Sequence, residues 1–222
     1  MSNSINIGIA GLGTIGCGVV NNLLRNKESL KEKYGLDFEI IGVSASNKNK
    51  KRSINLEDFN WYDDPIDLAK DNNIDLVIEL VGGEKGIAYD LAIETINNKK
   101  GFITANKALL STNGKILSEL SCKNNVFFGY EAAVAGGIPI IKTLKSGLFL
   151  DKINNIFGIL NGTSNFILSR MNSANKSFED ALSEAQELGY AEADPSFDIN
   201  GMDAAHKLSI LSAISFGEFP SL

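Results

Sequence analysis

Several stretches of the sequence hold groups that could do chemistry. Gly11-Leu12-Gly13-Thr14-Ile15-Gly16 has the spacing G-x-G-x-x-G. In that pattern the first glycine permits a tight turn, the second lets a pyrophosphate approach the backbone, and the third lets helix and strand pack closely. Thr14 and Ile15 open the following helix, whose first N–H groups and dipole suit a phosphate. The same residues also serve as a plain strand-to-helix turn. Their position after an apolar run and before an amphipathic one favours dinucleotide binding.

Two more stretches lie where strands should end. Ile78-Glu79-Leu80-Val81-Gly82-Gly83 puts paired glycines after an apolar run, and Thr104-Ala105-Asn106-Lys107 adds a lysine one strand later. Ligands of open parallel sheets bind at such ends, where Lys107 could polarise a carbonyl or move a proton. Lys107 taken alone is more often an ordinary surface lysine. The loop Glu131-Ala132-Ala133-Val134-Ala135-Gly136-Gly137-Ile138-Pro139 is small and apolar. It reads as a close-packed hinge, or as a loop whose carbonyl oxygens hold a hard cation.

The last stretch, Gly189 to Lys207, carries Glu192, Asp194 and Asp198 on an expected loop, then Asp203, His206 and Lys207 at a helix start. Asp203 and Lys207 are four residues apart and share a helix face. As an exposed ion pair they would contribute about 0.3–0.5 kcal/mol. In a cleft, the carboxylates would bind an ammonium and the lysine would handle a proton. His206 is one step round from Lys207 and is assigned no catalytic part.

These groups need elements to position them. Strands are expected at Ile5–Ala10, Phe38–Ser44, Asp75–Leu80, Phe102–Ala105 and Val126–Tyr130. Helices are expected from about Ile15 to Leu24, at Ile87–Asn97 and within Lys107–Lys123. The alternation implies βαβ units and a mainly parallel sheet. Beyond Glu131 the pattern changes: a helix from Pro139 to about Gly147, a strand at Ile153–Leu160, a helix at Thr163–Met171, one capped by Ser177 and ending at Gly189, and one from Met202 to about Phe216. The fold class is α/β, with a Rossmann-type dinucleotide-binding domain at 1–135 followed by an α+β substrate and dimerisation domain at 136–222.

At about 150 residues per domain, 222 residues make roughly one and a half domains. A net charge of −6 argues against a general nucleic-acid binder. Cys17 and Cys122 stand far apart without metal or redox spacing, which suits a reducing compartment. Met1-Ser2-Asn3-Ser4 carries no positive charge and is not expected to be a secretory leader. The longest nearly apolar run, Ala132 to Ile141, is about half of a membrane span. The expected location is the cytoplasm. After the second strand, Val43-Ser44-Ala45-Ser46-Asn47 offers no carboxylate for the ribose hydroxyls of NAD. Lys48, Lys50, Lys51 and Arg52 follow, so NADP is favoured over NAD, with a solvated loop as the competing account.

Taken together these stretches resemble homoserine dehydrogenases, from Gly8 to about Gly217. The more specific portions are Glu131–Ile141, Gly158–Leu168 (Gly-Ile-Leu-Asn-Gly-Thr-Ser-Asn-Phe-Ile-Leu) and Glu184–Leu211. The resemblance implies NAD(P)-dependent interconversion of L-aspartate 4-semialdehyde and L-homoserine, on the route to threonine, methionine and isoleucine. It implies that Lys207 is the proton donor and acceptor and Lys107 the second active-site lysine, near nicotinamide and substrate. Glu192 would hold the substrate amino group, with Asp198 and Asp203 as supporting acids. Gly11, Gly13, Thr14, Ile15, Gly16, Gly82, Lys107 and Gly189 would contact the cofactor, and backbone oxygens of Glu131, Val134, Gly136 and Ile138 would bind sodium. A homodimer through the second domain's sheet is implied as well. Family members continue with more substrate domain, so the second domain reads as C-terminally incomplete. An aspartate-semialdehyde dehydrogenase would need a catalytic cysteine, for which Cys122 is poorly placed. A dinucleotide-binding module without turnover is the alternative of a different class.

Overall fold

Ile5-Asn6-Ile7-Gly8-Ile9-Ala10 carries no charge, and from Ile7 onward it is buried. A run of this kind belongs inside a sheet covered on both faces. The computed structural model describes residues 4–220, so Met1–Asn3 and Ser221-Leu222 lie outside the described residues. The chain divides into two compact units, one ending at Ala133 and the other starting at Val134.

The first unit runs β1 (Ile5–Ala10), α1 (Thr14–Tyr34), β2 (Phe38–Ser44), β3 (Asn60–Tyr62), α2 (Ile66–Lys70), β4 (Leu76–Glu79), α3 (Ile87–Asn97), β5 (Gly101–Thr104), α4 (Lys107–Asn124) and β6 (Phe128–Gly129). The strands lie in the order β3-β2-β1-β4-β5-β6, and each neighbouring pair is parallel. Strand order reverses between β1 and β4, the switch point where open α/β sheets bind ligands. Alternation sorts the side chains into two cores. Ile7, Ile9 and Ile78 join Cys17 and Val20 of α1, while Ala10 and Val77 join Leu68, Leu91, Ile96, Leu109 and Leu117. Both cores are therefore held by the strands whose ends carry the glycine turns.

α1 extends about ten residues past the expected Leu24. Its second half, Arg25 to Tyr34, has lost the apolar stripe but keeps good helix formers. It stops at Gly35, whose φ of 66° lets its own N–H reach the Lys31 carbonyl and the Leu36 N–H reach that of Leu30. β3 and α2 were not foreseen, because three- and five-residue elements carry no readable period.

The second unit, among the described residues, is helical. It comprises α5 (Ile140–Lys142) widening into a π-helical turn at Thr143–Gly147, then α6 (Gly162–Ala174), α7 (Phe178–Glu187), α8 (Ser196–Ile199) and α9 (Met202–Phe216). The strand expected at Ile153–Leu160 is a correction: the segment pairs with no strand among the described residues. Its residues have strand composition, yet Phe157 is 94% exposed, and a strand exists only where a neighbour completes its ladder.

Helices α6 and α7 pack through Ile167, Ala181 and Ala185. Glu184 clamps them, accepting from Arg170 Nε at 2.9 and 3.0 Å, from Arg170 Nη2, and from Lys176 Nζ at 2.9 Å. Hydrogen bonds from these two cations hold the Glu184 carboxyl down from 4.5 to about 2. A depressed acid contributes stability above its unfolded value and loses it as pH falls toward the folded one. Thermal melts of the intact protein should therefore show a pH 5 to 2 decline that Glu184→Gln flattens. Parallel declines for both proteins would mean the clamp contributes nothing.

Candidate functional site

The glycine turn sits at the switch point. Gly11 has φ of 99°, and a Cβ there would lie 2.5 Å from the Leu80 carbonyl. A Cβ on Gly16 would lie 1.9 Å from the Gly11 oxygen, whereas one on Gly13 would meet nothing within 4 Å. Two glycines are thus required by packing, and the third opens onto space. Gly13 caps α1 without a side-chain bond, leaving the helix start to offer its N–H groups to an anion.

Beside it lies a cavity of about 270 Å³ lined by Leu12, Gly13, Thr14 and Cys17 on one side and Lys50, Lys51, Arg52 and Ser53 on the other. Arg52 shapes this wall. Its guanidinium donates to the carbonyls of Leu12 (3.1 Å), Lys50 (2.9 Å) and Asn47 (2.7 Å). Lys48 and Arg52 both lie near the Trp61 ring, at 5.7 and 5.8 Å. Arg52 is therefore foremost a staple of its loop, and Lys50 and Lys51 are the other cations lining this cavity.

A second cavity, about 150 Å³, is lined by Ile15, Leu80, Val81, Gly82, Ala105 and Asn106. A polar network absent from the sequence reading holds its walls. Glu79 is fully buried. It accepts from the N–H groups of Val81 (2.7 Å) and Gly82 (2.9 Å) and from Thr104 Oγ1 (2.6 Å). Thr104 Oγ1 accepts from Asn106 N at 2.9 Å. Asn106 donates to the Gly83 carbonyl at 2.5 Å and caps α4 by accepting from Leu109 N at 3.1 Å. Lys107 is thereby fixed as the first residue of α4, next to the cavity wall. The signal for Glu79 was an acid inside an apolar strand; three donors satisfy it where no cation is needed.

In the second unit Lys207 donates to Asp203 Oδ2 at 2.6 Å and to the Leu160 carbonyl at 2.8 Å. Asn161 donates to Asp198 Oδ1 at 2.7 Å and to Asp203 Oδ2 at 2.8 Å. Asp198, Asp203 and Lys207 are thus brought together, through an asparagine that sequence reasoning named only within a motif. Glu192 stands apart from this network: it is exposed, and its main-chain oxygen accepts from Gln186 Nε2 at 3.1 Å. Asp194 is occupied in starting α8, where the Ser196 hydroxyl and N–H hold its carboxyl below the usual range. Gly189, with φ of 77°, turns the chain after α7. Tyr190 follows, its ring 4.8 Å from Phe166 and its carbonyl accepting from Thr163 Oγ1 at 2.7 Å. His206 is buried edge-on against Phe197.

Around the loop after Glu131, Ala135 and Gly136 have positive φ, and the Ile138 oxygen accepts from Ile140 N at 2.8 Å. Among the described residues no cluster of three or more His, Cys, Asp or Glu side chains could hold a metal. A cation at this loop would rest on backbone oxygens.

A parallel sheet of this order with a glycine turn at its switch point defines the first unit as a dinucleotide-binding domain. Family models agree and extend the match. The homoserine dehydrogenase NAD binding domain matches residues 11–131, and homoserine dehydrogenase itself matches 139–222. This chain belongs to the homoserine dehydrogenase family. A homoserine dehydrogenase of Neisseria gonorrhoeae is 46% identical over 213 residues, covering 96% of this chain and 48% of that protein. The crystal structure of one from Thiobacillus denitrificans superposes with a TM-score of 0.88 at 45% identity, covering 97% of this chain and 49% of that one. A hyperthermophilic archaeal homoserine dehydrogenase in complex with NADPH gives a TM-score of 0.84 at 26% identity, covering 98% and 72%. The chain spans about half the length of the curated relatives it matches.

Proposed function

We propose that this chain provides the cofactor-binding and proton-transfer parts of a homoserine dehydrogenase, interconverting L-aspartate 4-semialdehyde and L-homoserine. The observation that carries the reading is the Lys207–Asp203–Asn161–Asp198 network on a chain of this family. Residues 1–135 hold the cofactor and 136–222 the substrate. The Gly11–Gly16 turn and Gly82 receive the dinucleotide, with Thr14 and Ile15 at the helix start; the open face of Gly13 fits a pyrophosphate. Lys50 and Lys51 beside the glycine turn favour a 2′-phosphate, hence NADP over NAD.

Bound nicotinamide supplies the hydride for the aldehyde carbon. As negative charge grows on the aldehyde oxygen, the Lys207 ammonium stabilises it and delivers a proton from Nζ. Asp203 holds that ammonium in place. Lys107, at the start of α4, is the second lysine, and Glu192 and Asp198 take the substrate's α-ammonium. Gly189 contributes a backbone contact to the cofactor. Sodium is held by the backbone oxygens of Glu131, Val134, Gly136 and Ile138.

The active form is a homodimer; Phe149, Leu150, Phe157 and Ile159, all more than half exposed, support burial against another surface. The location is the cytoplasm, in keeping with two free cysteines and with no helix among the described residues long and apolar enough to cross a membrane.

The test is oxidation of NADPH, compared with NADH, by the intact protein supplied with L-aspartate 4-semialdehyde. Homoserine should form in step with cofactor oxidation, faster with NADPH at low cofactor concentration. A folded protein that binds NADPH and makes no homoserine would leave the binding-module reading standing instead.

A further inference from the structure

The side chain of Asn161 has every polar group engaged. Its Oδ1 accepts from Ser164 N at 2.7 Å, which caps α6. Its two Nδ2 hydrogens go to two carboxylates, Asp198 Oδ1 at 2.7 Å and Asp203 Oδ2 at 2.8 Å. This fixes the sense of the amide, because a flipped one would turn its oxygen toward both acids. Asp203 is buried, so its charge needs donors, and one oxygen, Oδ2, accepts from both Asn161 and Lys207. The residue before Asn161 acts too: the Leu160 carbonyl accepts from Lys207 Nζ at 2.8 Å. The dipeptide Leu160-Asn161 therefore grips Lys207 directly and through Asp203. Two of the three ammonium hydrogens are committed, and the third is aimed by that commitment.

We propose that Asn161 is the positioning residue for Lys207: by bridging Asp198 and Asp203 it sets where the ammonium points and the charge it feels. The proposal deepens the reading of Lys207 as proton donor and rests on it. The charged groups of the network are Asp203 on the same helix as Lys207 and, across Asn161, Asp198 of α8. Asn161 carries no charge, and its amide bridges the two carboxylates by hydrogen bonds alone. The separation of Asp198 and Asp203 from one another depends on it as well.

Asn161→Asp tests this. It can still cap α6, since aspartate is as good an N-cap as asparagine. It replaces two donors with a third carboxylate beside the ammonium, and added negative charge favours the protonated lysine. In the intact protein, the pH midpoint for labelling Lys207 with an amine-reactive reagent, read by peptide mass spectrometry, should move to higher pH. The corresponding limb of the kcat/KM profile should move with it. Turnover should fall about 10- to 100-fold, with KM for NADPH within twofold.

Asn161→Ser also keeps a cap but is too short to reach both acids, so it serves if the aspartate variant folds poorly. Its midpoint should move the same way by less. An unchanged labelling midpoint in both folded variants overturns the proposal. A moved midpoint upholds it whether or not the protein turns over aspartate semialdehyde, so its failure is separable from that of the proposed activity.

Discussion

Lys207→Ala should lower turnover by about 10²–10⁴-fold, the range expected for loss of a positioned general acid, while NADPH binding stays within twofold. The two quantities separate because Lys207 belongs to α9 of the second unit, and the glycine turn and the cavity beside it belong wholly to the first. Alanine also removes the lysine partner of Asp203, a buried carboxylate that pairs with Lys207 at 2.6 Å. Leaving a buried acid without its cation destabilises, so a loss of activity by unfolding has to be distinguished. Lys207→Arg does so: it keeps a cation near Asp203, but a guanidinium does not give up its proton. A folded Lys207→Arg protein that binds NADPH and fails in single-turnover reduction of the semialdehyde is the expected result. Unchanged turnover in either purified variant would remove Lys207 from the chemistry.

The sheet was legible wherever a run of residues had to be buried on both faces. Ile5–Ala10, Phe38–Ser44 and the apolar run ending at Glu79 carry that demand in their composition, and each is a strand within a residue or two of its expected bounds. The glycine turn was legible because Gly11 and Gly16 are forced by close approach. β3 was missed since three residues at a sheet edge bear no period, and Ile153–Leu160 misled since β-composition is no guarantee of a ladder partner. Site residues divided along the same line. Asp203 and Lys207 lie one helical turn apart, and local spacing reveals such a pair. Glu79 with Thr104 is 25 residues apart in sequence, and Asn161 with Asp203 is 42. Those bonds are made by tertiary structure, so no local pattern announces them. The common feature of the missed residues is that they hold other groups in place.

Within the glycine turn, packing and binding should come apart on mutation. At Gly16, inside α1, alanine would ordinarily gain about 1 kcal/mol of helix propensity. Here its Cβ falls 1.9 Å from the Gly11 carbonyl oxygen and 2.9 Å from the carbonyl carbon. Both are backbone atoms of a turn wedged against Leu80, so neither can yield as a side chain would. Gly11 cannot retreat, because it is itself packed so closely that a Cβ on it would lie only 2.5–2.9 Å from backbone atoms of Leu80 and Val81. Steric cost should therefore exceed propensity, with a net loss of about 3 kcal/mol. That corresponds to a fall in Tm of roughly 6–12 °C. Gly13 has the opposite surroundings. Its φ of −76° and ψ of −162° are open to any residue, and an added Cβ meets no protein atom within 4 Å. Gly13→Ala should melt within about 1 kcal/mol of the parent, the scale of exchanging glycine for alanine at an N-cap. What the methyl fills is the space over the helix start, where a pyrophosphate would come against the backbone. NADPH affinity should thus fall at least tenfold, about 1.4 kcal/mol or more, measured by direct titration of the purified protein. A Gly13→Ala protein that binds NADPH as tightly as the parent would falsify the assignment of this turn to the dinucleotide, whatever Gly16→Ala does to the fold.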